Sequence, residues 1–175
     1  MKVSLMTKSP KFQFNRFPEL GTRTKRWIVK SKKADAILFT ASCPLFLLGF
    51  LSYGSKDCTQ SCSVQISAYE GDKTLADFCT VLSTDSHDYK GNTTTILLPV
   101  PLHLLANTRF EVVFVMNCSG FCDYGINGLK SVNCEGVSFQ FFDSTRSKNC
   151  TNVVNGQIPG FIFQKFYTWY HMILN

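Results

Sequence analysis

Along most of the chain, apolar and polar side chains alternate with a period of two, and no long stretch holds the 3.6-residue spacing of an amphipathic helix. The clearest instance sets Val64, Ile66 and Ala68 on one face and Gln65, Ser67 and Tyr69 on the other. Around Thr108 to Asn117, Phe110, Val112, Phe114 and Met116 share one face, and Glu111, Val113 and Val115 share the other. Both faces are largely apolar there, so this strand is expected at the centre of a sheet. Val137, Phe139 and Phe141 alternate with Ser138 and Gln140, and β-branched Thr93, Thr94, Thr95 and Ile96 lead into Leu97 and Leu98. Further strands are expected over 27–30, 36–40, 46–52, 74–82 and 161–165. Clusters of Gly, Asn, Asp and Ser at 53–57, 70–73, 83–92 and 143–149 supply the reversals between them.

This pattern predicts an all-β fold, an antiparallel β-sandwich of about nine to eleven strands with no crossover helices. Residues 1–15 read as a disordered basic leader, 16–165 as the sandwich and 166–175 as an apolar tail able to pack back or to bind something. Among 175 residues, 45% hydrophobic content is enough for one core, and a charged share of only 17% argues against disorder of the whole. The most apolar stretch, 36–53, is broken by Thr40, Ser42, Pro44 and Ser52, so no transmembrane span is expected. The first seventeen residues lack the apolar run of a secretory signal, which points to a cytoplasmic location.

Charge changes the picture only at the N-terminus. The net charge is +6, but residues 1–33 hold ten Lys and Arg against the single acid Glu19, leaving the rest mildly acidic. Contact with nucleic acid or an anionic membrane surface is therefore expected, if anywhere, only through residues 2–33, where Lys8, Lys11, Arg16, Arg23, Lys25 and Arg26 are interleaved with Phe12 and Phe14. Eight cysteines and three Asn-x-Ser/Thr sequons, at Asn92, Asn117 and Asn149, raise an alternative: an extracellular, disulfide-bonded, glycosylated adhesion or receptor sandwich. Without an export signal the favoured reading is reduced thiols. Cys58 and Cys62 share the spacing of Cys118 and Cys122, and four thiolates would suit zinc only if both pairs sat in turns; the favoured reading is buried free cysteine, with no metal and no cofactor.

Catalytic signatures are missing. There is no Gly-x-Ser-x-Gly elbow, Gly125-Ile126-Asn127-Gly128 has neither the lysine nor the helix of a phosphate loop, and His87, His103 and His171 have no acid nearby in sequence. No catalytic residue is assigned, and the chain is not expected to be an enzyme. Tyr124, Asn127 and Lys130 stand among glycines in a loop, where side chains project and function gathers, so they are read as partner contacts. Gly49 inside an apolar strand suggests a bulge or a close backbone approach, and Gly54 a turn.

Several segments in order resemble the PHR domain, named for the Pam, Highwire and RPM proteins and found also behind BTB domains in adaptor proteins. They are Arg16-Phe17, Trp27, Asp35-Ala36-Ile37 with Phe39, Phe46 to Phe50 and Tyr53-Gly54-Ser55. The match resumes at Tyr124-Gly125, Gly128, Val132, Gly136 to Phe141, Asn149, Thr151 and Gly156-Gln157-Ile158-Pro159, ahead of Phe163. The resemblance implies the same all-β sandwich and a non-catalytic protein-interaction module that recognises a client or partner for a cullin-3 or RING-type ubiquitin ligase. Residues 1–175 contain no BTB or RING segment of their own, so the chain would act as a fragment or through a partner that supplies the ligase. Under this reading Trp27, Gly49, Phe50, Tyr53, Gly54, Gly125, Gly128 and Pro159 are scaffold, and Gln157 joins the partner-contacting set. The chain departs from the family pattern at 28–33, where a Gly/Ser-rich stretch is expected. Further departures are Asp123 for a histidine, Cys150 for a glycine and Gly160 for an acidic residue.

Overall fold

A computed structural model describes residues 9–21, 27–29, 32–53, 62–82, 93–117 and 120–166. Within them lie fourteen strands and no helix: β1 (Lys11–Gln13), β2 (Glu19–Leu20), β3 (Trp27–Val29), β4 (Ala34–Ala41), β5 (Leu45–Tyr53), β6 (Cys62–Glu70), β7 (Lys73–Leu82), β8 (Thr93–Leu104), β9 (Phe110–Asn117), β10 (Gly120–Cys122), β11 (Gly125–Ile126), β12 (Ser131–Cys134), β13 (Val137–Asp143) and β14 (Gly160–Lys165). Nine of these run four residues or longer, and the remaining five are short pairings at the margins. Every pairing is antiparallel.

The long strands, joined by β1, form a four-stranded sheet in the order β1-β14-β5-β8 and a six-stranded sheet in the order β12-β13-β4-β9-β6-β7. One continuous core lies between them. The six-stranded sheet contributes Ile37, Phe39, Ile66, Val112, Phe114 and Phe139, and the four-stranded sheet contributes Leu47, Phe50, Phe161 and Phe163. The sheets meet ring to ring: Phe39 lies 4.3 Å from Phe161, Phe139 5.1 Å from Phe163 and Phe50 5.6 Å from Phe114, centroid to centroid. Such tilted and edge contacts add to the burial of large rings. The Phe-rich composition thus supplies the filling of a sandwich, and β9 is a central strand, as its two apolar faces require.

Gly49 holds the close approach expected of it. The β5–β8 register jumps between Leu47, opposite Leu102, and Gly49, opposite Leu97, and a side chain at Gly49 would run into the Ile96 carbonyl. Pro99 and Pro101, which lack N–H groups, fall within the looped-out part of β8, on the edge of its sheet. The β-branched signal ended at Leu98, but the strand resumes past this bulge and continues to Leu104.

Two readings of the N-terminus need correction. Lys11–Gln13, assigned from sequence to a disordered leader, is a strand that pairs with β14. Phe12 and Phe14 pull it onto the sheet: the Phe14 ring lies 4.6 Å from Phe139 and 5.7 Å from Phe161. Gly160 permits this, since a side chain there would meet the Phe14 carbonyl, so the departure from the family pattern at that position makes room for the incoming strand. Arg16, grouped by sequence with a solvated basic arm, is fully buried and unable to reach a phosphate. Residues 1–8 and the basic positions Arg23, Lys25 and Arg26 lie outside the described residues, as do Gly54 and the tail from 167 on.

The cysteine reading holds in part. Cys43, Cys79, Cys134 and Cys150 are free thiols, and burial raises the pKa of Cys134, away from thiolate. Cys62 is disulfide-bonded, so the expectation of wholly reduced thiols fails there, and Cys62 is not a thiolate ligand.

Candidate functional site at one end of the sandwich

Three loops converge at one end of the molecule, and a buried cation organises them. Asn15 opens the first loop by accepting a 2.8 Å hydrogen bond from the Phe17 amide through its side chain. Arg16 then turns inward and donates from Nε to the Ile158 carbonyl at 3.0 Å, from Nη1 to Val153 at 2.6 Å and from Nη2 to Asn152 at 3.0 Å. Its guanidinium also sits 4.0 Å from the Phe17 ring centre and 5.3 Å from that of Phe141. Burial lowers its pKa to about 10, with Tyr53 and Asp143 opposing that shift, so it stays charged at neutral pH. The planar fork of arginine suits this task, because three carbonyls at different angles need fixed donors.

Backbone bonds tie the loops to one another. Gly125 and Gly156 exchange hydrogen bonds at 3.0 and 3.1 Å, the Gly128 amide donates to Val154, the Leu129 amide to the Arg16 carbonyl and the Gly21 amide to the Tyr124 carbonyl. Two glycines are there for space: a side chain at Gly125 would strike the Phe17 ring, and one at Gly128 would strike the Val153 carbonyl. The scaffold assignments of Gly125 and Gly128 rest on these contacts. Pro159 is buried with its carbonyl accepting from the Arg16 amide at 2.7 Å, and Phe50 and Tyr53 are both in the core. The backbone of Trp27 belongs to β3, paired with β10.

A second buried group braces the same loop from below. Asp35, 1% exposed, accepts from Asn149 Nδ2 at 3.0 Å and from Thr151 Oγ1 at 2.5 Å. Burial pushes its pKa up to about 6 despite these two bonds, which favour the charged form. Asn149 is thus an internal ligand, which removes one of the three sequons from the glycosylated alternative. Between the two clamped residues, Cys150 has φ of 73°, a left-handed conformation that costs a non-glycine residue about 1 kcal/mol or more. The glycine that the family pattern expects there is the residue this backbone asks for. Cys150→Gly is expected to raise the unfolding free energy by about 1 kcal/mol, and denaturant unfolding of the two proteins checks it.

The partner-contacting residues read from sequence separate into two groups. Asn127, with φ of 57°, and Lys130 are exposed on the loop, and Tyr124 is half-buried, its ring against Gly21. Gln157 is fully buried and cannot touch a partner with its side chain; it donates to the Asp123 carbonyl at 2.6 Å and so holds the loop that carries Tyr124. Its neighbours Ile158 and Pro159 are also buried, and β14 begins directly after them at Gly160. The structure adds residues that sequence reasoning missed: Leu20, Leu129 and Val154 are exposed at 38%, 46% and 49% around the same three loops. An isolated leucine between Gly128 and Lys130 carries no periodic signal, but an apolar residue amid turn formers was the available clue. Among the described residues no group of three or more His, Cys, Asp or Glu is placed to hold a metal ion.

A sandwich with a braced, partly apolar loop platform defines a β-module whose chemistry lies at its surface. A family model for the PHR domain matches residues 15–164, and the chain belongs to the PHR domain family. Its relatives include BTB/POZ domain-containing protein 6-B of Danio rerio, 30% identical over 149 residues, which make up 85% of this chain and 30% of that protein. BTB/POZ domain-containing protein 6 of Homo sapiens is 30% identical across 85% of this chain and 27% of its own length. BTB/POZ domain-containing protein 3 of Mus musculus is 28% identical over the same shares. The chain therefore spans less than a third of the length of these relatives.

Proposed function

We propose that the chain is a non-catalytic, cytoplasmic protein-interaction module that recognises a client or partner for a cullin-3 or RING-type ubiquitin ligase. Membership of the PHR family and the BTB/POZ names of its relatives support the adaptor setting. The observation that carries the reading is the braced platform itself. Arg16 and Asp35 fix three loops from within, while Leu20, Tyr124, Asn127, Leu129, Lys130 and Val154 stand around it with apolar anchors beside an exposed lysine. Rigid loops of this kind lower the ordering cost of binding, and a few central anchors then dominate affinity. Gln157 supports the platform from beneath.

The test is affinity enrichment from cells with tagged chain as bait. Leu129→Asp with Lys130→Glu, and separately Tyr124→Ala, serve as controls, each shown to be folded by circular dichroism. A short set of captured proteins lost by at least about tenfold with the first variant is expected, as for anchors worth more than about 1 kcal/mol each. Full capture by a folded double variant would place the binding surface elsewhere.

A further inference from the structure

Four strands end the two sheets, and three of them offer little to a further strand. β1 and β12 are three and four residues long, and β8 carries Pro99 and Pro101 in its looped-out part. Short edges and prolines are common protection against unwanted pairing. β7 has neither. It runs ten residues without proline, and among the described residues only β6 pairs with it. Its far side therefore presents a row of backbone N–H and C=O groups.

The side chains of β7 suit a strand of one particular pattern. Ala76, Phe78 and Leu82 point to the core side, in register with buried Ala68, Ile66 and Cys62 of β6, yet they are only half-buried. The apolar inner face thus runs one strand past its cover. Leu75, the extra residue at the β6–β7 register shift, and Leu102 of β8 line one apolar notch between the sheets. On the opposite face Asp77, Cys79 and Val81 are exposed, Val81 at 59%. Asp77 accepts from Gln65 Nε2 and from Ser67 Oγ, each at 3.1 Å, which fixes its carboxylate beside the edge. Charge is one-sided here, with Glu70, Asp72 and Asp77 against Lys73, the lone Lys or Arg within 62–82. Arg146, 4.1 Å from the Tyr69 ring centre, is already paired with Glu111.

We propose that the β7 edge takes up an extended segment of a partner protein, one that alternates apolar residues with Lys or Arg, as a seventh strand of this sheet. The apolar residues of such a segment continue the inner face beyond Phe78 and Leu82, and covering those side chains is the gain in burial. A Lys or Arg opposite Asp77 has its Cβ about 5 Å away across the strand pair, and Glu70 and Asp72 extend the acidic side. Main-chain bonds supply affinity, and the alternation supplies selection. The surface is separate from the loop platform: β7 lies at the other edge of its sheet from β12, which begins directly after Lys130. Either reading can therefore fail without the other.

The probe is acetyl-Thr-Val-Lys-Val-Lys-Val-Thr-amide, titrated into the 15N-labelled full chain. Saturable amide shifts centred on residues 76–82 are expected. Binding should be at least about tenfold weaker for the same peptide with Glu in place of Lys, and for a chain carrying Asp77→Lys with Val81→Lys. Both substituted side chains are exposed, and circular dichroism verifies that the double variant is folded. N-methylation of the three valines strips the donors from one edge of the peptide, and N-methylation of the two lysines strips donors from the other. One methylated form should bind and the other should not. No binding, shifts centred on other residues, unweakened binding of the Glu peptide or by the folded double variant, or both methylated forms behaving alike would each overturn the proposal. So would sedimentation in which the free chain is a dimer and the double variant a monomer, which would give the edge to a second copy.

Discussion

Arg16→Met is expected to lower the unfolding free energy by about 3–5 kcal/mol, the cost of leaving three buried carbonyls without donors, partly offset by no longer burying a charge. The carbonyls belong to Asn152, Val153 and Ile158, and they are the anchor of the loop that also bonds to Gly128 and Gly125. Arg16→Lys should recover little of the loss, because a single ammonium cannot copy the fork that reaches all three. Denaturant unfolding measures the loss. Amide hydrogen exchange locates it: the amides of Gly128, Leu129 and Gly156 should exchange much faster, while those of β9 should speed up only by as much as the global stability falls. A methionine variant within about 0.5 kcal/mol of the parent would show that the loops are held by their backbone bonds alone.

Asp35 makes stability depend on pH in the direction opposite to that of a salt-bridged carboxylate. Its pKa is raised to about 6 in the folded chain from an ordinary 3.8, with burial as the main cause. The folded state therefore binds its proton more tightly than the unfolded state. Stability from this group is fully present below the unfolded pKa, falls as pH rises toward the folded pKa, and is then lost; the span amounts to about 3 kcal/mol. The difference in unfolding free energy between the parent and Asp35→Asn, measured from pH 3.5 to 7, isolates this contribution from other carboxylates. A flat difference across that window would mean that the bonds from Asn149 and Thr151 hold the carboxylate charged at no cost.

Much of the sandwich was legible in the sequence because a half-buried strand writes its own pattern. Val64, Ile66 and Ala68, or Val137, Phe139 and Phe141, face the core in the register that their alternation predicts. Strands of two or three residues, such as Glu19–Leu20 and Gly125–Ile126, write none, and they are the ones that build the loop platform. The site was legible only in part for the same reason. Tyr124, Asn127 and Lys130 were visible as side chains among glycines, but Gln157 was misread because nothing local says that an amide faces inward. Arg16 hid in a run of basic residues; only the fold shows that one charge of that run is internal and the hub of three loops. Residues far apart in sequence, such as Asp35 with Asn149 and Thr151, meet only through tertiary structure.

The position of β14 bears on how the chain is made. Although it is the last strand among the described residues, it occupies the interior of its sheet, between β1 and β5. During synthesis from the N-terminus, β5 must wait with one edge bare and Arg16 must wait without its carbonyls until residues 152–165 leave the ribosome. At about 5–20 residues per second that interval lasts several seconds or more, during which an apolar strand edge is open to wrong partners. A nascent chain stalled before Gly160 would be a client for chaperones, and the closing strand ends that dependence.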